Sequence, residues 1–269
     1  MKRWLIIGAW GVFIIGIGFL LSMVKEYQDN LVIAKPLVTI DMDEDNAFLT
    51  EDELLRRLEM AGLLFEGQQK SELKVDSIEA FISGISQVKS TKVYTQIGKD
   101  WKIEIGLRKP IARVFNKYQE DFYIDDEGYI METSGSYTSR VMVVSGEISD
   151  RLNGPSVPDF INNDSLISIQ NLDEIYRISN YVCYDPLMCS LIGQLHREKS
   201  GDFVLVPLVG DSKIVFGEAS SEEEVEEKFE KLRIFYEEAL PSVGWDKYSE
   251  INLKYKDQVV CKLKNPPGE

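Results

Sequence analysis

His196 is the one histidine in the chain. An imidazole can act as a general base or a metal ligand, but either use needs partners at suitable positions. A Ser-His-Asp triad would rest on His196 alone, and a zinc site built on paired histidines is excluded. His196 precedes Arg197, Glu198 and Lys199, a polar run that reads as a turn and favours a structural or solvated role. The 45 Asp and Glu residues offer many possible acid–base pairs, yet a working pair needs a cleft and shifted pKa values. The sequence holds no GxGxxG, P-loop, HExxH or GxSxG motif. Cys183 and Cys189 are close enough in sequence to join if both thiols reach bonding geometry, but small buried side chains beside Tyr184 and Leu187 are the favoured reading. Cys261 would stay unpaired, and three cysteines are too few for a disulfide scaffold. The expectation is a protein that is not an enzyme, with no catalytic residue, no metal and no cofactor.

The residues suited to binding chemistry lie near the end. Ile251, Leu253 and Tyr255 alternate with Asn252 and Lys254. Lys256 and Asp257 interrupt, and Gln258, Val259, Val260, Cys261 and Lys262 resume the extended pattern. A terminal strand at a sheet edge carries free N–H and C=O groups that can accept a strand from another chain. Lys254, Lys256, Lys262 and Lys264 also fit the opposite role, edge lysines that block aggregation. With Lys+Arg 30 against Asp+Glu 45, nucleic acid is a poor partner.

Several elements must position that segment. Trp4 to Val24 is 21 residues without a charge, about 31 Å as a helix, which matches the ~30 Å hydrocarbon core. A cleaved signal peptide would carry an apolar region of about 7–15 residues and a small-x-small site, and Ser22-Met23-Val24 is a poor one, so the run reads as an uncleaved signal anchor; Lys2 and Arg3 before it put residues 25 onward outside the cytoplasm. The spacing of its glycines, at 8, 11, 16 and 18, gives no GxxxG pair. Residues 25–269 keep 28 basic and 45 acidic side chains, a net of −17, so they should not lie flat on anionic lipid. Glu26 to Ala34 reads as a connector.

Beyond it Pro36–Ile40 reads as a strand. Thr50-Glu51-Asp52-Glu53 is a capping box that opens a helix with Leu54, Leu55, Leu58 and Ala61 on one face, ended by Gly62. Asp76-Ser77-Ile78-Glu79 starts a second helix with Ile78, Phe81, Ile82 and Ile85 at helical spacing. The period then drops to two over Val88–Ile97 and again over Trp101–Leu107, around a turn at Gly98-Lys99-Asp100. That order, β-α-α-β-β, is an α+β unit, since one sheet face buries both helices.

Leu107 to Val114 carries a Pro110 that marks a strand leaving one unit for the next, or an ordinary strand end with exposed cations. Phe122–Asp125, Tyr129-Ile130, Val141–Val144, Phe203–Leu208 and Ile214–Phe216 read as strands. Ser165–Tyr181 reads as a helix, Pro186–Leu191 is ambiguous, and Ser221-x-x-Glu224 caps a helix that buries Val225, Phe229, Leu232 and Tyr236 and stops before Pro241. Glu250–Leu263 is the last extended segment.

Taken together these pieces resemble the FtsQ/DivIB family of bacterial cell-division proteins. The β-α-α-β-β unit resembles the family's POTRA domain, and Arg108, Pro110 and Ala112 resemble the run that leads from it into the β domain. Phe122–Asp125 with Asp126-Glu127-Gly128 resembles the hairpin that follows. The helix Lys231–Tyr236 and the strand Ile251–Tyr255 resemble the family's C-terminal helix and last strand. The wording of Ser139–Val141, Val144–Gly146, Leu205–Pro207 and Gln258–Cys261 is most similar to the branch found in Bacteroidota.

The resemblance implies an α+β protein laid out as a cytoplasmic tail at 1–3, an anchor at 4–24 and a linker at 25–34. A POTRA domain at 35–112, a mixed β domain at 113–264 and a tail at 265–269 complete it. It implies a divisome scaffold in the cell inner membrane, single-pass and type II, with most of the chain periplasmic at the septum. The partners implied are FtsB and FtsL, bound by strand addition at the last strand, and through them the septal synthase FtsW–FtsI. The matching contact positions are Lys254, Tyr255, Lys256, Asp257, Gln258, Val259 and Val260. The chain departs from many relatives at Lys254, where an Arg is common, and at Gln258, where a Gly is common; Lys cannot grip a carboxylate in two-pronged fashion. Similar bacteria O-glycosylate Asp-Ser/Thr-apolar sites, which Asp76-Ser77-Ile78 and Asp164-Ser165-Leu166 fit, although both also fit helix starts. Two competing classes are a membrane-anchored envelope hydrolase, which needs convergent carboxylates or a networked His196, and an outer-membrane assembly factor, which needs repeated POTRA units or a barrel.

Overall fold

The N-terminal apolar run forms one helix, α1, over Lys2–Asp29, about 42 Å long in the computed structural model. That model describes residues 2–41, 47–160 and 171–264. By internal contacts the chain divides into Met1–Leu107 and Arg108–Glu269.

In the first unit, β1 (Leu37–Asp41) runs parallel to β3 (Trp101–Leu107), which pairs antiparallel with β2 (Val88–Thr95), giving the order β1-β3-β2. Strict alternation along β3 buries Trp101, Ile103, Ile105 and Leu107. Helix α2 (Glu51–Met60) sets Leu54 and Leu58 against that face, and α3 (Val75–Ser83) adds Ile78 and Ile82. Thr50 Oγ1 accepts the Glu53 amide at 3.3 Å and so caps α2. Glu53 turns instead to Arg57, so only half of the expected box is made. Ala61, expected inward, is the exposed C-cap, because Gly62 at φ +67 already turns the chain away. Asp76 lies inside the first turn of α3, whose N-cap is Lys74. Ser77 is exposed there.

The expected connector at 25–34 is ordered against this unit. Helix α1 continues through Asp29, and Gln28 Oε1 accepts the Gly98 amide at 3.1 Å. Lys70 N donates to Leu31 O, Ile33 N to Gln68 O and Ala34 N to Lys99 O. Trp101 Nε1 donates to Ala34 O at 2.8 Å. Backbone pairing, invisible to a composition argument, is what fixes the segment.

Among the described residues the second unit holds one nine-stranded mixed sheet in the order β12-β11-β10-β9-β8-β7-β4-β5-β6. Its strands are β4 (Pro110–Phe115), β5 (Asp121–Asp125), β6 (Ile130–Met131), β7 (Met142–Gly146), β8 (Ile192–Arg197), β9 (Phe203–Pro207), β10 (Lys213–Gly217), β11 (Tyr248–Asn252) and β12 (Val260–Leu263). Residues Pro110–Phe115, which the sequence reading divides at 112/113, form a single strand paired with β5 and β7. Besides the short α4 (Val157–Phe160), the helices are α5 (Leu172–Tyr184), α6 (Pro186–Leu191), α7 (Glu222–Ile234) and α8 (Leu240–Val243). Ile175 and Ile178 of α5 and Phe229 and Leu232 of α7 join Val144, Leu195, Leu205 and Phe216 of the sheet in one core. The Tyr181 and Phe229 rings stack with centroids 4.4 Å apart.

Three expectations change here. Arg197, read as the start of the polar turn after His196, is instead the last residue of β8, a strand the sequence does not announce; only Ile192 and Leu195 of it are fully buried, so its apolar signal is thin. The helix expected to stop before Pro241 runs on to Val243 through a π-helical turn at Phe235–Ala239. The wider turn places Pro241 in the first turn of α8, where a missing N–H costs no bond. The segment Glu250–Leu263 is a hairpin of two strands. The helix expected from Ser165 is seen from Leu172; Leu166, Ile169 and the Asp164-Ser165-Leu166 motif lie outside the described residues.

Candidate functional site

The carboxyl-terminal margin of the large sheet is built by a crossover. From β10 the chain passes through α7 and α8 and returns as β11, parallel to β10, with Ile214 beside Ile251. Ile251 and Leu253 are buried and hold β11 in the core. β12 then folds back antiparallel on β11, so β11 has neighbours on both sides and, among the described residues, β12 is outermost. The strand expected to be last, Ile251–Tyr255, is therefore interior. The open margin is the four residues that follow the turn.

The ladder says which groups face out. Lys264 N donates to Lys247 O at 3.0 Å, so Tyr248 and Leu263 form a pair whose own N–H and C=O point away from each other. A register shift between Tyr248 and Glu250 falls on β11 and leaves β12 regular. Alternation then turns Val260 and Lys262 toward β11 and presents the backbone groups of Cys261 and the N–H of Leu263 outward, while the Leu263 carbonyl accepts from Ser249 Oγ at 3.3 Å. The Leu263 side chain is 60% exposed. Val259 and Cys261 lean on the core, and burial pushes the Cys261 thiol pKa up.

Of the seven expected contact residues, Val260 alone is in the outer strand. Lys254, Tyr255, Lys256, Asp257, Gln258 and Val259 form the connection between β11 and β12. The Lys254 ammonium is taken by Asp202, at 2.8 Å to both carboxylate oxygens, and its stem lies over Gly217. Tyr255 is half exposed, and its carbonyl accepts from Lys231 Nζ at 2.9 Å. Asp257 adopts φ +61, so the left-handed residue of the turn is Asp257 rather than Gln258. Lys256 and Lys262 are exposed, while Lys264 reaches Asp211 at 3.2 Å. Cys261 and Leu263 lie beyond the expected contact positions, and the return of β-branched and apolar residues after Asp257 is their only signal in the sequence.

Two other margins, β6 and β2, differ. β6 has two residues, and its Ile130 amide already donates to Ser156 Oγ at 3.1 Å. On β2 of the first unit the Val93 amide donates to Glu79.

The residues weighed for catalysis have structural partners. His196 Nδ1 lies 3.1 Å from Ser145 Oγ across β7 and β8. Burial raises the pKa of Asp125, Asp150 and Glu174, and each accepts backbone amides that close a loop or helix start: Glu127 and Tyr129 for Asp125, Asn171 for Asp150, Ala219 for Glu174. Cys183 and Cys189 are free thiols that line one cleft with Val182 and Ile192; Cys183 is half-buried and Cys189 exposed, not buried as expected, because Cys189 falls on the outer side of the short α6 while Met188 and Leu191 take its inner side. Among the described residues no group of three or more His, Cys, Asp or Glu side chains is arranged to hold a metal.

The model for the family described as FtsQ/DivIB, C-terminal related, matches residues 109–262, which takes in β4 through nearly all of β12. No curated protein matches the chain. The family is one of non-catalytic division proteins, and the apolar α1 fits a single-pass membrane anchor. A match over more than half of the chain, laid on a sheet that ends in an open strand, places this protein in the FtsQ/DivIB C-terminal related family of cell-division proteins.

Proposed function

We propose that the protein is a divisome scaffold whose β12 margin captures FtsB, and with it FtsL, by strand addition, and so links them to the septal synthase FtsW–FtsI. The observation that supports this reading is the outward-facing backbone of Cys261 and the outward N–H of Leu263 on a short strand that is outermost among the described residues. Strand addition draws affinity from main-chain hydrogen bonds and selectivity from alternate side chains. Val260 and Lys262 would face the partner's side chains on one surface of the extended sheet, and Leu263 on the other. The connection Lys254–Val259 would flank the added strand, with Tyr255 offering an exposed ring and Lys256 an ammonium. Lys254 contributes by holding the hairpin to Asp202.

In this reading residues 4–24 anchor the chain in the inner membrane in type II orientation, residues 35–112 are a POTRA domain and 113–264 the β domain in the periplasm at the septum. Lys2 and Arg3 before the apolar run support the orientation. Photocrosslinking tests the reading. A benzophenone residue at Val260 should crosslink to FtsB when the full chain is expressed with FtsB and FtsL, whereas one at Ile130 on the opposite margin should not. Equal yield at both positions, or none at Val260 in a complex that still forms, would overturn it.

A further inference from the structure

The first unit carries a feature that the matched family segment does not reach. The turn between β2 and β3 holds Ile97, whose side chain is 93% exposed. It is pushed out by its neighbours. Lys70 Nζ sits under the turn and donates to Gln96 O at 2.6 Å and Gly98 O at 3.1 Å, so the chain bends around the ammonium and the intervening side chain points away. The same turn is fastened to the end of α1, because Gly98 N donates to Gln28 Oε1 and Ala34 N to Lys99 O. The loop before Lys70 is fastened there too, through Gln68 O and Ile33 N, and it exposes half of Phe65.

These bonds set the height of the turn. The apolar run ends at Val24, and Gln28 is one helical turn further, about 6 Å along the axis. A bilayer's headgroup layers add roughly 5–8 Å on each side of the ~30 Å core. Tyr27, 68% exposed, falls in the same layer, where aromatic rings are favoured.

We propose that the β2–β3 turn, with Ile97 at its tip, rests together with the Phe65 loop in the headgroup layer of the membrane that α1 enters. The proposal builds on reading α1 as a membrane anchor. Its chemistry is apolar insertion rather than charge attraction. Lys70 and Lys99 on these loops are matched by Glu66 and Asp100, so the contact should form on uncharged phosphatidylcholine and gain nothing from anionic lipid. The consequence is a first unit held against the membrane at one end of its sheet.

The test uses the full chain with Cys183, Cys189 and Cys261 changed to Ser, in phosphatidylcholine nanodiscs. A fluorophore is attached in turn at I97C, I15C and S83C. Ser83 is exposed at the far end of the sheet: it leads into Val88, about 23 Å along β2 from Thr95. Nitroxide on the lipid headgroup should quench the probe at 97 and leave the probe at 83 bright; mid-chain nitroxide should quench the probe at 15. Adding phosphatidylglycerol should change none of these. Equal brightness at 97 and 83 while 15 is quenched would overturn the proposal and leave the anchor intact, pointing to a protein partner for Ile97. An unquenched probe at 15 would overturn the anchor reading and the proposal with it.

Discussion

Proline at Leu263 separates capture by the outer strand from any other route. The Leu263 N–H faces outward, so L263P removes no bond of the β11–β12 ladder. It should leave the fold intact, within about 0.5 kcal/mol, as expected for an exposed site away from special features. An added strand meets a different surface. It loses one main-chain bond, its own carbonyl is left unpaired in a newly buried interface at about 1–3 kcal/mol, and the ring projects where the strand must lie. A total of about 2–3 kcal/mol weakens binding roughly 30- to 150-fold. L263A keeps the N–H and should bind within about threefold of the parent, since it trims only a half-exposed side chain. K262P is the reciprocal control: its N–H faces β11, so it should release β12 and lose binding together with exchange protection at Asn252 and its neighbours. The assay is surface plasmon resonance of the nanodisc-embedded chain against the FtsB–FtsL complex, paired with thermal melts. If L263P melts with the parent and binds FtsB–FtsL undiminished, the assignment of β12 as the docking strand is wrong.

Three further outcomes follow from the packing. R108A strips the partner, 2.7 Å away, from Asp125, a carboxylate with no exposed side-chain surface, and should cost about 3–5 kcal/mol at pH 7. Burial already holds the Asp125 pKa above 3.8, so the native state binds that proton more tightly than the unfolded chain. Its contribution therefore falls as pH rises through the raised value, and the R108A deficit, measured by urea denaturation, should shrink as pH is lowered toward 4. G146A forces a Cβ onto a residue at φ +110 and against the Arg197 carbonyl, where β7 and β8 end; about 3 kcal/mol, or ~6–12 °C in Tm of the second unit, is expected by calorimetry. W101F removes the indole donor to Ala34 O and should cost about 1 kcal/mol while speeding hydrogen exchange at Ile33 and Ala34.

What could be read from the sequence was whatever periodicity or turn chemistry encodes. The alternation from Trp101 to Leu107, the α2 cap at Thr50 and the inward row Val225, Phe229, Leu232 and Tyr236 each state a local preference that tertiary packing confirms. The misses have the opposite character. Strand β8 hides its identity because its solvent-facing residues Gln194 and His196 are polar and only part of its inner face is buried. Residues 25–34 carry no pattern, since backbone amides and not side chains tie them down. The open margin of the large sheet was legible as a region of the sequence, but which of its strands is outermost was not. Ile251, Leu253 and Tyr255 alternate as an edge strand would, but alternation cannot distinguish a strand with one neighbour from a strand with two. Only the pairing of β11 with both β10 and β12 moved the open groups to Cys261 and Leu263.

Amide exchange at those two residues probes the account at its centre. In the free protein the Cys261 and Leu263 amides should exchange fast, while Lys262 between them is protected by β11. On adding FtsB–FtsL, both should slow by at least tenfold together, with the Lys262 amide little changed. Fast exchange persisting at Cys261 and Leu263 in the saturated complex would contradict docking at this margin.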